Sequence, residues 1–398
     1  MIAASDEFFA EKENLINPGA PTFSPHTFGH KGQVYDGWET RRRRGPGRSL
    51  PADGEHDWVI VRLGAAGVVH AVVVDTAHFT GNFPQACSVQ ACWADGYPDL
   101  AALDSVRWVE IVQRSPLKGD TPHVFEIPPQ ARRRYSHVRL RIYPDGGVAR
   151  LRVHGVVVPD PALLEGMTFD LAALENGADV VACSDRFYSS PRNAISPGLS
   201  RVMGEGWETR RRRSAGNEWL AVRFAAPAVI SLAEIDTSGY IGNSPGMAEV
   251  RGSLSAGGAT GTGEASGTGG ASGESGASGT GEASGTGGAP GESADGTPSE
   301  SADRTPRDSG DGTPSENAGS ATVDSEAWDD PSSWHRLLER TPLLPDTAHR
   351  FRIVSSAPCN LIRLDVFPDG GVARLRLYGT LTPEGLAQVR RRWAETAL

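Results

Sequence analysis

Residues 143–155 read YPDGGVARLRVHG, and residues 367–379 read FPDGGVARLRLYG. Two such similar stretches in one chain mark an internal repeat, and a repeat constrains the fold more than any single motif. Working outward, further pairs align. SDEFFAEKENLI at 5–16 matches SDRFYSSPRNAI at 184–195, and GWETRRRR stands at 37–44 and again, letter for letter, at 206–213. DWVIVRLG at 57–64 matches EWLAVRFA at 218–225, and DTAHFTGNFP at 75–84 matches DTSGYIGNSP at 236–245. Two homologous domains in tandem are expected, 1–160 and 161–398. The second copy opens with MTFDLAALENGADVVACSD at 167–185 where the first has only MIAASD. An opening element is therefore expected to be missing from the first copy, or to lie upstream of Met1.

The spacing of the pairs widens abruptly between Val250, which matches Val89, and Trp334, which matches Trp108. Residues 253–326 fill the gap. They are almost wholly Gly, Ala, Ser, Thr, Glu, Asp and Pro, with no aromatic residue. Such a stretch buries too little apolar surface to offset ordering entropy, so a disordered surface-loop insertion is expected. It also accounts for the charge. The chain carries 39 basic and 49 acidic residues, a formal net charge of −10. Residues 253–326 hold 12 of the acids and two of the bases, so the other 324 residues balance at 37 and 37. A neutral body argues against nucleic-acid binding, which needs a net basic surface.

Within each copy, short apolar or alternating runs are separated by Gly, Pro and Asp. In the first copy they fall at 57–63, 68–75, 87–93, 107–112, 123–127, 136–143 and 148–154. Val68–Val74 is nearly continuous and β-branched, which predicts a strand buried on both faces. His137–Ile142 alternates, which predicts a half-exposed strand. Pro-Asp-Gly-Gly at 144–147 and 368–371 predicts a hairpin turn, shaped by Asp145 and Asp369. Seven or more strands at this spacing predict an all-β chain with one β-sandwich per copy. A short C-terminal helix is expected from Thr382, as N-cap, through Pro383 to Trp393.

Chemistry concentrates around GWETRRRR. Arg41, Arg42, Arg210 and Arg211 suit bidentate recognition of a small carboxylate or a planar urea-like group. Arg43, Arg44, Arg212 and Arg213 read equally well as solvated arginines paired to nearby acids. Glu39 and Glu208 precede the arginines and are candidates for general acid or base work. Asp75 and Asp236 end a strand, where a carboxylate needs a partner, and Asn82 and Asn243 lie in a Gly-Asn turn. Eight of the ten histidines lie at or before His154. His26, His30 and His78 have no histidine at the matching second-copy positions; His78 aligns with Gly239. This bias favours the first copy as the catalytic one, with His78 or His26 as proton carrier. The spacing His26-x3-His30 suits a metal on a helix, but it lies in a loop with Gly29, so no metal and no cofactor is expected, without excluding a divalent ion. The cysteines Cys87, Cys92, Cys183 and Cys359 form no C-x-x-C pair and read as thiols of a cytoplasmic protein.

The tandem GWETRRRR, the D-T-x-x-x-x-G-N-x-P pair and the P-D-G-G-V-A-R-L-R pair together resemble the allantoicase family. The resemblance spans the chain apart from the insertion and the short opening. It implies two jelly-roll-like β-sandwich domains, a homo-oligomer, and hydrolysis of allantoate to ureidoglycolate and urea in purine breakdown. On that reading Glu39 with His78 or His26 moves protons, Arg41 and Arg42 hold the carboxylate, and Glu208, Arg210, Arg211, Asp75 and Asn82 complete the candidate set. The competing reading is a non-catalytic tandem β-sandwich that binds carbohydrate, and such modules present exposed aromatic platforms. Neither reading calls for a membrane or nucleic-acid partner.

Overall fold

The structure is a computed structural model, and it describes residues 1–254 and 334–398. The expected disorder of the insertion falls, from residue 255 on, outside the described residues. At its start the expectation needs correction, because Ser253 is still strand. It ends Met247–Ser253 and pairs with Leu361, its small size being no bar to a ladder position.

The described chain is all-β, two tandem β-sandwiches, with a seven-stranded sheet from the first copy and an eight-stranded sheet from the second. Each is organised by one long strand, Asp57–Asp75 and Glu218–Asp236. The runs read as separate strands at 57–63 and 68–75 are one strand with an irregularity between Arg62 and Gly67. Before that point, and for Gly67 and Val68 just beyond it, the strand pairs with Arg134–Tyr143, which pairs in turn with Ala86–Cys92. Beyond it, the strand pairs with Arg150–Val157 and Pro122–Glu126. A single strand thus serves both layers. Val59, Val61, Val138, Leu140 and Ile142 from one layer meet Val69, Val72, Val74 and Leu151 from the other in a common core. The second copy repeats this, its irregularity lying between Arg223 and Ala228.

Three local expectations fail. Val68–Val74 is not buried on both faces, since only Val69, Val72 and Val74 are buried. Among the described residues no second sheet covers the other face of that layer. His137–Ile142 is more buried than its alternation implies. Its outward Arg139 bonds Gln90 and stacks over the Trp108 ring at 4.4 Å. Nor is Pro-Asp-Gly-Gly a hairpin. The strands flanking it pair with different halves of Asp57–Asp75 and not with each other. It is the crossing between layers, and Gly147-Val148 pairs instead with Trp38-Glu39.

The opening element of the second copy is built: Phe169–Asp170 pairs with Arg374–Leu381, and Asp179–Cys183 with Glu218–Asp236. In the first copy Ala3–Ala4 takes the place beside the long strand. The C-terminal helix runs Pro383–Glu395, with Thr382 accepting the Gly385 N–H at 3.0 Å. It also reaches the first copy: the Arg134 guanidinium lies between the Trp93 and Trp393 rings, at 4.5 and 3.3 Å. No helix among the described residues is long and apolar enough to cross a membrane.

Candidate active site

The repeated motifs converge at the layer crossing, and the convergence explains most of GWETRRRR. Trp38 and Trp207 are fully buried, and their indole N–H groups donate to the carbonyls of Asp6 and Asp185 at 2.8 and 2.9 Å. Thr40 and Thr209 accept the N–H of Gly146 and Gly370, the third residue of each Pro-Asp-Gly-Gly, at 3.1 and 3.0 Å. Arg41 and Arg210 donate their Nε to Asp6 and Asp185, at 2.7 and 3.0 Å, and pack over Phe8 and Phe187. Arg43 and Arg212 donate their backbone N–H to Asp145 and Asp369 and their side chains to Asp57 and Glu218. Asp145 and Asp369 therefore anchor the arginine run and do not shape a hairpin. Arg42, Arg44, Arg211 and Arg213 are exposed. Arg42 and Arg211 make no ion pair with described residues.

Glu39 and Glu208 sit half-buried in the middle of this knot. Asn82 donates its amide N–H to Glu39 Oε1 at 2.8 Å, and Asn243 donates to Glu208 Oε1 at 2.6 Å. The same asparagines, through their carbonyls, accept the N–H of Gly147 and Gly371 at 2.8 Å. The Gly-Asn turn, the Trp-Glu strand and the layer crossing thus meet at one carboxylate in each copy. Both crossing glycines are required. Gly146 has φ 136° and Gly370 has φ 134°, a region that side chains rarely enter. A Cβ on Gly147 or Gly371 would stand 2.0 Å from the ring of Phe79 or Tyr240.

Burial pushes the Glu39 carboxyl above the ordinary glutamate range, and the Asn82 hydrogen bond offsets this in part. A carboxylate so tuned is a better proton acceptor near neutral pH. His78 is half-buried with φ 69°. Its backbone N–H donates to Asp120 at 2.7 Å, and its Nε2 donates to the Pro21 carbonyl at 3.2 Å, so Nδ1 is the free nitrogen. No hydrogen bond joins His78 to Glu39. His26 is exposed on the turn before the short hairpin Phe28–Gly29 and Gly32–Gln33. His26 and His30 are thus on no helix, and no group of three or more His, Cys, Asp or Glu among the described residues is placed to hold a metal. Asp75 turns back on its own loop, accepting the Ala77 N–H at 2.9 Å. All four cysteines are free.

Two buried arginines escaped the sequence reading. Arg150 donates to the carbonyls of Asn14, Gly19 and Asp36 and to the Asp36 carboxylate at 2.7 Å. Arg374 donates to the carbonyls of Asn193, Gly198 and Glu205. They clamp the loop that leads into Trp-Glu. The signal was present as A-R-L-R in both copies, but an arginine in an alternating strand reads as outward and solvated.

The described chain is a tandem of β-sandwiches, each holding a half-buried carboxylate at its layer crossing, with an exposed arginine, Arg42 or Arg211, three residues further along the chain. Sequence comparison gives the family. The Allantoicase repeat family matches residues 1–158, 169–272 and 309–382. A Nocardia farcinica protein named probable allantoicase is 45% identical over 383 residues, 96% of this chain and 91% of the relative. The Dictyostelium discoideum allantoicase is 33% identical, covering 96% and 84%. The crystal structure of Saccharomyces cerevisiae allantoicase superposes with a TM-score of 0.64 at 28% identity, covering 95% of this chain and 88% of that one. The chain belongs to the allantoicase family.

Proposed function

We propose that this enzyme, a hydrolase, converts allantoate and one water to ureidoglycolate and urea in purine degradation. Family membership supports the substrate, and the observation that carries the chemistry is the desolvated Glu39 carboxylate held by Asn82. Allantoate is a carbon bearing one carboxylate and two ureido groups. Arg42, exposed and without an ion pair to any described residue, receives the carboxylate, with Arg41 offering the guanidinium nitrogens that Asp6 leaves unbonded. Glu39 takes a proton from water as its oxygen bonds to the central carbon. The C–N bond to one ureido group breaks, and its nitrogen gains a proton from His78 or, from the hairpin, His26. Asp75 supports the site from its turn. Glu208, Arg210 and Arg211 form the matching set in the second copy.

The carbohydrate-binding alternative has little to stand on, since Trp38 and Trp207 are fully buried and offer no platform. We further propose the division into repeats at 160 and 161, a homo-oligomeric state, and a cytoplasmic location, to which the free cysteines conform. The decisive assay supplies allantoate to the full chain and measures both products. Equimolar urea and ureidoglycolate is the expected result, and no release of either would refute the reading.

A further inference from the structure

The two copies build the same Glu–Asn pair and surround it differently. Between Ile16 and Gly37 the first copy has 20 residues, and between Ile195 and Gly206 the second has 10. The longer loop lays down a row of rings. Phe23 stacks on His78 at 5.6 Å and on Tyr35 at 5.4 Å, and Tyr35 stacks on Phe79 at 4.8 Å. Arg150 fastens both ends of the loop, at Gly19 and at Asp36. From the hairpin tip, Lys31 lies over the Phe8 ring at 5.1 Å, the ring on which Arg41 packs. The next residue, Phe9, donates its N–H to the Glu39 carbonyl. The loop therefore spans from His78 to the segment beside Glu39.

In the second copy Gly239 replaces His78, and Gly204 stands where Tyr35 does. Met203 takes up the room. Its Cγ lies 3.9 Å from where a Cβ on Gly239 would stand, and its sulfur is 3.6 Å from the Asn243 amide nitrogen. Its carbonyl accepts the Tyr240 hydroxyl at 2.7 Å. One side chain reaches both Gly239 and Asn243, so the space over residue 239 adjoins the amide that holds Glu208. By the repeat, the space next to the His78 Cβ adjoins the amide that holds Glu39.

We propose that turnover is confined to the first copy, that Phe23 and Tyr35 are positioning residues which hold His78 at the Glu39–Asn82 pair, and that Met203 closes the equivalent space in the second copy. This rests on the allantoate reading above. The test is urea release from allantoate by the full chain and its variants. Glu39→Gln is expected to retain under about one hundredth of wild-type kcat, the scale of a lost general base. Half or more of wild-type activity would mean that the second copy turns over and would overturn the proposal. Burial disfavours the Glu39 carboxylate, so the glutamine variant is expected to melt no lower than wild type at neutral pH, which separates lost chemistry from lost fold. Tyr35→Ala is expected to lower kcat about tenfold, as a misplaced proton carrier does, with little change in KM. Tyr35→Phe keeps the stacked ring and should recover kcat; failure to recover would overturn the positioning role. Met203→Trp, at a half-exposed residue, should keep full turnover, and loss of half or more would count against a closed second copy. An inactive wild type would instead refute the substrate reading, and the proposal with it.

Discussion

The first and second copies agree at the residues that hold the layer crossing together and differ at the residues above it. Trp38 and Trp207, Thr40 and Thr209, Asn82 and Asn243, and Arg150 and Arg374 make the same bonds in both. His78, Phe23 and Tyr35 have no counterpart; a glycine or a shorter loop replaces them, and Met203 fills the room. Verbatim repetition of GWETRRRR therefore marks structural demand at most of its positions, since six of eight residues are consumed by the knot or by the core. On the proposal above, a motif kept in both copies marks the place of the site, and the unmatched residues around it mark the copy that turns over.

The largest stability effect is expected at the buried clamps. Arg150→Ala and Arg374→Ala each leave several loop carbonyls without donors and are expected to cost about 3 kcal/mol in denaturant unfolding. Their effects on turnover should part: only Arg150→Ala, which frees the loop carrying Phe23 and Tyr35, should lower kcat per folded molecule. Equal losses would erase the distinction between copies.

A smaller effect belongs to the second copy alone. Burial pushes the Asp170 carboxyl up to about 6, against hydrogen bonds from Leu377 and Ala172 and the nearby Arg376. A carboxyl raised in the folded state stabilises only while protonated. Stability should fall by about 2 kcal/mol as pH rises from roughly 4, the unfolded value, through about 6. Asp170→Asn should flatten that slope in a series of melts, and an unchanged slope would remove Asp170 as its source. The smallest effect is expected from deleting residues 259–329, which spares Ser253 and His335 at the facing strand ends. Turnover and melting temperature should stay within error of wild type; loss of active protein would assign that segment a role.

The sequence was most legible where periodicity and repetition act together. The tandem sandwiches, the C-terminal helix with its Thr382 cap and the pairing of Arg43 and Arg212 with acids all follow from patterns of polarity and spacing. The failures share a cause. Pro-Asp-Gly-Gly looks like a hairpin because turn chemistry is local, whereas which strands then pair is decided by the bend in Asp57–Asp75. Arg150 and Arg374 look solvated because alternation cannot show a loop folded over the outer face. Asn82 reads as a turn residue and is one, but its side chain meets Glu39 only through contact across 43 positions of chain. The stacked row from His78 to Phe79 is likewise invisible without the fold, though the histidine bias pointed to the copy that carries it.

The proposed working site is made by the long loop of the first copy, set on a scaffold both copies share. Replacing residues 18–35 by the second copy's residues 197–204 tests it in one protein, because Arg150 would find the carbonyl that Gly198 gives Arg374. The expected product is a folded chain whose urea release from allantoate falls at least about a hundredfold, the size of effect that loss of a positioned proton carrier allows. A folded chimera that turns over like wild type would contradict it.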